Sequence, residues 1–285
     1  MTQFFRFRSA VSLLSLALGS ALALPDQLAA QTAVEQLNPY VTTATRTAAS
    51  THTLGTVTSI LTADDMERYQ FSSFAEALNF ASGSPALGSG ARGATTAIFL
   101  RGSNSNQTLF LVDGLRMNDP NTEYAVMLGG SCTSGCDNLE VAHGPQSTLY
   151  GGEAMGGVVS LRSQRGQGDP SGSVALEVGS FGTLQGAVSA QGEQEETAYN
   201  FSAQGGHTDN ERDHNAFDSM NATLRLDHDL SDTVTVGSTV RWFRGKYESP
   251  GSRYTNDPDN TEEEDNLIVT LFADFKSGEA WHTHV

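Results

Sequence analysis

Carboxylates are the side chains in this sequence best placed to do chemistry. Asp209, Glu211 and Asp213 fall close together, and Asp257, Asp259, Glu262, Glu263, Glu264 and Asp265 form a second run. Hard oxygen ligands at this density suit Ca²⁺, which takes about six to eight of them, although the spacing is not that of an EF-hand. Solvated acidic loops, or loops meeting cations that bridge them to another anionic surface, are the other reading. Cys132 and Cys136 would pair as a disulfide in an oxidising compartment and stiffen a short loop, gaining less than the roughly 3 kcal/mol expected for a loop of about 15 residues. Free thiols, and metal or redox chemistry, stay open for the pair.

Catalytic patterns are missing. No G-x-S-x-G and no H-E-x-x-H occurs, and Cys132 with His143 is a poor nucleophile and base pair, so the chain is not expected to be an enzyme. Glycines 151, 152, 156 and 157 look like a phosphate cradle, yet no G-K-[ST] follows them. In a packed domain they would instead allow positive φ or close approach of a strand. With 16 Lys+Arg against 33 Asp+Glu, and Lys246 and Lys276 as the two lysines, the net charge of −17 excludes nucleic acid as a partner.

The elements that must carry these residues are mostly strands. Apolar residues make up 38% of the chain and glycine 29 of its 285 residues, below and above the usual proportions of globular proteins, and charge is too scarce to drive disorder. Low charge with many Gly, Ser, Thr and Asn fits β structure with one polar face. At the start, Arg6 and Arg8 precede an apolar stretch at 10–24, followed by small residues and Pro25. This reads as a secretory signal at 1–30, cut after Ala23 or Ala30, and is too short to span a bilayer as a helix of about 20 residues.

From 56 to 165 the pattern is mixed, as in a compact α+β domain. Thr62 with Asp65, and Ser73 with Glu76, have capping-box spacing and predict helices at 64–69 and 74–80. Strands are expected at 57–61, 97–101, 109–113, 139–142 and 158–161. From 166 to 285 the period becomes two: Leu184, Val188, Tyr199, Phe201, Leu224, Leu226, Val240, Trp242, Leu267, Val269 and Leu271 alternate with polar or small residues. Strands of about 8–11 residues are long enough to cross hydrocarbon when tilted. Alternation alone fits a soluble sandwich as well as a membrane barrel. Connection lengths separate the two: 180–182, 230–233 and 277–280 are short, 192–197 moderate, 206–217 long and 245–265 very long. Long loops on one side and turns on the other are the asymmetry of an outer-membrane barrel. Tyr199, Trp242 and Trp281 near strand ends suit an aromatic girdle. About six or seven strands with open edges cannot stand alone in hydrocarbon, so the chain either oligomerises or, as expected here, is the front part of a larger barrel.

Two runs carry a family resemblance. GARGATTAIFLRGSNSNQTLFLVDGLRMNDP at 90–120, followed by LEVAHGPQSTLYGGEAMGGVVSLRS at 139–163, resembles the plug domain of TonB-dependent outer-membrane receptors, most closely the cobalamin-receptor branch. The likeness covers roughly 38–245, with SPGS at 249–252 beyond it. It implies a plug at 56–165, preceded by a periplasmic segment at 31–55 and followed by antiparallel transmembrane strands at 166–285, truncated from a plugged barrel of about 22 strands. It also implies the outer membrane of a Gram-negative bacterium, energy from TonB and its inner-membrane complex, and a scarce ligand. Cobalamin is expected, with a ferric siderophore or haem as alternatives and a passive barrel or adhesin as the rival class.

The resemblance further places a TonB box at Asn38, Pro39, Tyr40, Val41, Thr42 and Thr43, an extended segment able to add to an edge of a partner's sheet through main-chain bonds. The family more often has an acidic residue for Asn38 and an aliphatic one for Thr42, and an ordinary linker is the alternative. Ligand contacts are expected from plug loops at 86–96 and 118–130, through Arg92, Thr95, Asn121, Glu123 and Tyr124. Arg101, Asp113, Arg116 and Glu140 are expected to join plug to wall by buried ion pairs. His143 stands where the family usually has Arg before Gly-Pro. The cobalamin branch orders comparable acidic loops with calcium; otherwise no cofactor is expected.

Overall fold

The computed structural model describes residues 40–46, 49–71, 73–81, 83–118, 135–252, 254, 257, 259–277 and 281–285. The signal at 1–30 therefore lies outside the described residues. The first domain opens with β1 (Tyr40–Val41) paired to β2 (Ala49–Ser50), then β3 (Val57–Thr62). Thr62 ends β3 and starts α1 (Ala63–Arg68): its hydroxyl accepts from the Asp65 N–H at 3.2 Å, and the Asp65 carboxylate accepts the Thr62 N–H at 3.0 Å. Each side chain thus satisfies a backbone donor that the first turn leaves unpaired. Ser73 caps α2 (Phe74–Phe80) by accepting from Glu76 N.

Short β4 (Ala86–Gly88) and β5 (Thr96–Ile98) form a hairpin. The strand expected at 97–101 is shorter because Arg101, at φ 49°, and Gly102 turn the chain. Next come β6 (Thr108–Val112), β7 (Leu115–Arg116), β8 (Cys136–His143), α3 (Ser147–Tyr150) and β9 (Gly157–Ser163). They form a sheet in the order β3-β8-β9-β6-β7, with β6 and β9 parallel. All of β6 is buried, and most of β8 and β9, the signature of strands covered on both faces. Their side chains meet Met66, Phe74 and Leu78 from α1 and α2 in one core. A Cβ on Gly157 would strike the Ala142 carbonyl and Leu100, so this glycine serves close strand packing.

After a linker at 164–170 the chain forms an antiparallel meander: β10 (Ser171–Val178), β11 (Leu184–Gln194), β12 (Thr197–Thr208), β13 (Phe217–Ser231), β14 (Val234–Glu248), β15 (Thr261–Ser277) and β16 (Trp281–His284). The connection expected to be moderate at 192–197 is a two-residue turn at 195–196, because β11 and β12 run on to meet there. Connections at 179–183, 209–216 and 249–260 lie at one end of the sheet, and those at 195–196, 232–233 and 278–280 at the other. Loop asymmetry is therefore sharper than the sequence suggested.

The first domain sits on the polar face of this sheet. Ser202, Thr223, Asp227, Thr239 and Arg241 are buried, while Leu184, Val188, Leu224, Leu267 and Leu271 on the opposite face are exposed, Leu271 at 77%. A soluble sandwich would bury the apolar face; here the polar one is covered and the greasy one turns outward, as in a wall meeting lipid.

Candidate functional site

Three contacts link the N-terminal segment, the plug and the wall. The first holds residues 40–46. β1 and β2 fold the segment back on itself, and the Glu140 carboxylate of β8 accepts from Thr42 N (2.9 Å), Thr43 N (2.9 Å) and the Thr43 hydroxyl (2.5 Å). The Tyr150 hydroxyl donates to the Thr43 carbonyl, and the Arg46 guanidinium lies over the Tyr150 ring. Val41 and Thr43 are buried. Of the expected TonB box, Tyr40 and Val41 form the extended strand β1 paired to β2, and Thr42 and Thr43 are held by Glu140, while Asn38 and Pro39 lie outside the described residues. Glu140 was expected to pair with the wall; instead it is an acceptor for this segment.

The second contact fastens plug to wall. Arg241 of β14 donates from Nε to Asp113 Oδ2 (3.2 Å) and Ser163 Oγ (3.0 Å), and from Nη2 to Cys136 Sγ (3.5 Å). Asp113 also accepts from Ser163 N and Oγ, both at 2.6 Å. Arg225 of β13 donates to the Ser163 carbonyl at 2.7 Å while its fork holds Asp227. Above this network Phe243 of β14 and Ile268 of β15 enter the plug's own hydrophobic core. Of the four ionic residues expected at this seam, Asp113 alone forms a buried pair with the wall. Arg116 pairs with Glu153 on an exposed surface, and Arg101 is exposed. His143 is buried and meets Ser59 Oγ through Nε2 at 3.0 Å. Burial, aided by the Arg101 charge, holds its imidazole below the ordinary value of 6.5.

The third contact fixes the plug loop at 89–95 against the long-loop end of the wall. Thr95 donates to Glu262 of β15 at 2.8 Å, and Asn210 Nδ2 donates to the Arg92 carbonyl at 3.1 Å. Ala94 packs with Phe217 and Tyr247, and the Tyr247 hydroxyl donates to Asn215. Gly93, at φ 95°, lies where a Cβ would run into the Phe217 ring, so only glycine closes this seam. Arg92 and Thr95 therefore reach one place, whereas Asn121, Glu123 and Tyr124 lie outside the described residues.

The acidic loop residues do not gather. Asp209 bonds the His207 ring, Asp257 accepts from Asp259 N, and Glu211 and Asp213 are exposed; among the described residues no three carboxylates, histidines or cysteines are placed to hold a metal ion. Cys132 lies outside the described residues, so its pairing with the buried Cys136 stays an expectation. Sequence reasoning missed Arg241, Arg225 and Phe243; the available signal was a charged or aromatic residue on the face of a strand otherwise lined by small polar side chains.

Residues 50–158 match the TonB-dependent receptor plug domain. The vitamin B12 transporter BtuB of Vibrio cholerae is 28% identical over 95% of this chain and 45% of its own length, and that of Vibrio vulnificus is 28% identical over 85% and 41%. The chain thus spans less than half the length of these relatives. Among solved structures, the pyoverdine receptor FpvA of Pseudomonas aeruginosa superposes with a TM-score of 0.73 at 17% identity, covering 85% of this chain and 35% of that one. The yersiniabactin uptake receptor FyuA of Yersinia pestis gives 0.64 at 15% identity, over 78% and 39%.

Proposed function

Since the chain carries the plug and opening barrel strands of a TonB-dependent outer-membrane receptor of a Gram-negative bacterium, we propose that it serves energy-coupled uptake of cobalamin. The observation that carries the ligand is the alignment with vitamin B12 transporters along 95% of the chain; the siderophore receptors resemble it in fold at lower identity. Arg92 and Thr95 contribute to the ligand surface at the plug apex. The segment at 38–43 is the coupling strand: it leaves Glu140 and adds to an edge of TonB, whose inner-membrane complex supplies the pull. Calcium in the acidic loops belongs to the same proposal, with terbium luminescence as its check.

Uptake of labelled cyanocobalamin in a receptor-deleted strain carrying the gene tests the ligand. Uptake of a ferric chelate with no cobalamin uptake would transfer the assignment to the siderophore reading. Deleting 38–43 should abolish uptake while leaving binding intact; unchanged uptake would point to a passive barrel.

A further inference from the structure

The linker at 164–170 lies along the inner face of the wall. Ser163, the last residue of β9, is gripped by Arg225 and Arg241. Two residues on, Nη2 of Arg165 meets Glu193 Oε1 of β11 and Asp229 Oδ2 of β13, each at 3.1 Å, so that one guanidinium straddles β12. Backbone bonds continue the contact: Gln167 N donates to Gln191 Oε1 at 2.7 Å, and Glu193 N donates to the Gly168 carbonyl at 2.8 Å. Gly166 passes so close to the wall that a Cβ would strike the carbonyls of Tyr199 and Gly192, and a Cβ on Gly192 would strike Pro170. Asp229 is fixed in turn by the Thr235 hydroxyl. These wall residues flank the turns at 195–196 and 232–233, at the short-turn end of the sheet.

Strand order determines where a pull on the N-terminal segment arrives. That segment leads into β3, at one edge of the plug sheet; β3 pairs with β8, β8 with β9, and β9 runs directly into the linker. The peptide chain tethers plug to wall in any case, so what Arg165 decides is where the tether begins. Released from the wall, the seven residues at 164–170 would give roughly 23–25 Å of slack when extended, close to the hydrocarbon thickness of about 30 Å. Held there, they give almost none. Each ion pair is partly exposed and worth little alone; together they join two strands to one side chain, while Gly166 lets the backbone lie flat beneath it. We infer that Arg165 is a positioning residue for coupled uptake: it anchors the carboxyl end of the plug to the rim of the wall, so that traction on 38–43 rearranges the plug without drawing it off the barrel. The inference rests on the coupling reading above.

The test uses a receptor-deleted strain carrying the full gene and supplied with cyanocobalamin, with vancomycin as a probe too large to pass a seated plug. Arg165→Met should lower the inhibitory concentration of vancomycin at least fourfold, and deleting 38–43 in the same variant should restore wild-type resistance, because no pull then reaches the linker. A merely structural defect would leak with or without 38–43. That result, or unchanged resistance in a variant that assembles, overturns the inference. Glu193→Gln with Asp229→Asn, which removes the partners and keeps the arginine, repeats the comparison if Arg165→Met fails to assemble. If wild type takes up no cyanocobalamin, or takes it up equally well without 38–43, the underlying reading has failed, and pulling on the purified receptor in lipid through an N-terminal handle then decides the anchor. Release of the linker at a lower force in Arg165→Met than in wild type supports it, and equal forces overturn it.

Discussion

Glu140 is nearly fully buried, yet its carboxylate faces three donors from a segment 97 to 98 residues away in sequence. Its worth to the docked segment is a charge-assisted interaction of about 1.5–3 kcal/mol per bond to a charged group. Glu140→Ala should therefore raise amide exchange at Thr42 and Thr43 by roughly tenfold or more, read by hydrogen exchange; unchanged protection would mean the β1–β2 pairing alone holds the segment. His143 gives a pH prediction. Its folded-state pKa is depressed by burial and then by Arg101, so below the ordinary 6.5 the unfolded chain binds more protons than the native one. Stability from this group is present above that value and lost as pH falls through the window beneath it. A series of thermal melts from about pH 7.5 to about pH 5 should show Tm falling, and His143→Gln should flatten the part of the slope that this residue owns.

Among the elements, β14 is the one that joins plug and wall. Its inward positions Thr239, Arg241, Phe243, Gly245 and Tyr247 are buried in succession, meeting in turn the Asp113 network, the plug core and the apex loop. Removing Arg241 leaves Asp113 charged and enclosed, a loss of about 3–5 kcal/mol; Phe243→Ala opens a cavity in the plug core at a similar cost of about 3–5 kcal/mol. Both should show as a lowered unfolding midpoint in denaturant. Arg241→Met combined with Asp113→Asn should recover much of the first loss, because the orphaned charge is gone. The helices of the plug were legible from their caps, since a capping box is a contact over three residues. β14's role was not: a strand's alternation tells which residues share a face and says nothing of what that face will meet, and the Arg241–Asp113 pair spans 128 residues.

For the whole molecule, the decisive property is which face of the meander meets protein. An outward position near mid-strand such as Leu224 should tolerate Arg poorly, by about 2–4 kcal/mol at the bilayer midplane, measured by refolding into liposomes across a denaturant series. The inward neighbour Thr223, set against the plug, should give a different signature: Thr223→Leu should disturb the plug contact with little effect on insertion. Equal costs at both positions would argue against a lipid-facing surface.

The sequence by itself determined the local and periodic features: two capped helices, the longer strands of the plug, the onset of period two after it, the loop asymmetry, and the motif runs that resemble a plug. These depend on interactions between residues close in the chain or on a repeat that any window reveals. Tertiary structure alone decided that Thr42 and Thr43 dock on Glu140, that Arg241 rather than the expected plug cations makes the buried pair with Asp113, and that Phe243 and Ile268 of the wall enter the plug core. Each of these joins segments far apart in the chain, and such pairings are fixed only when the plug and the wall close on one another and water is excluded between them.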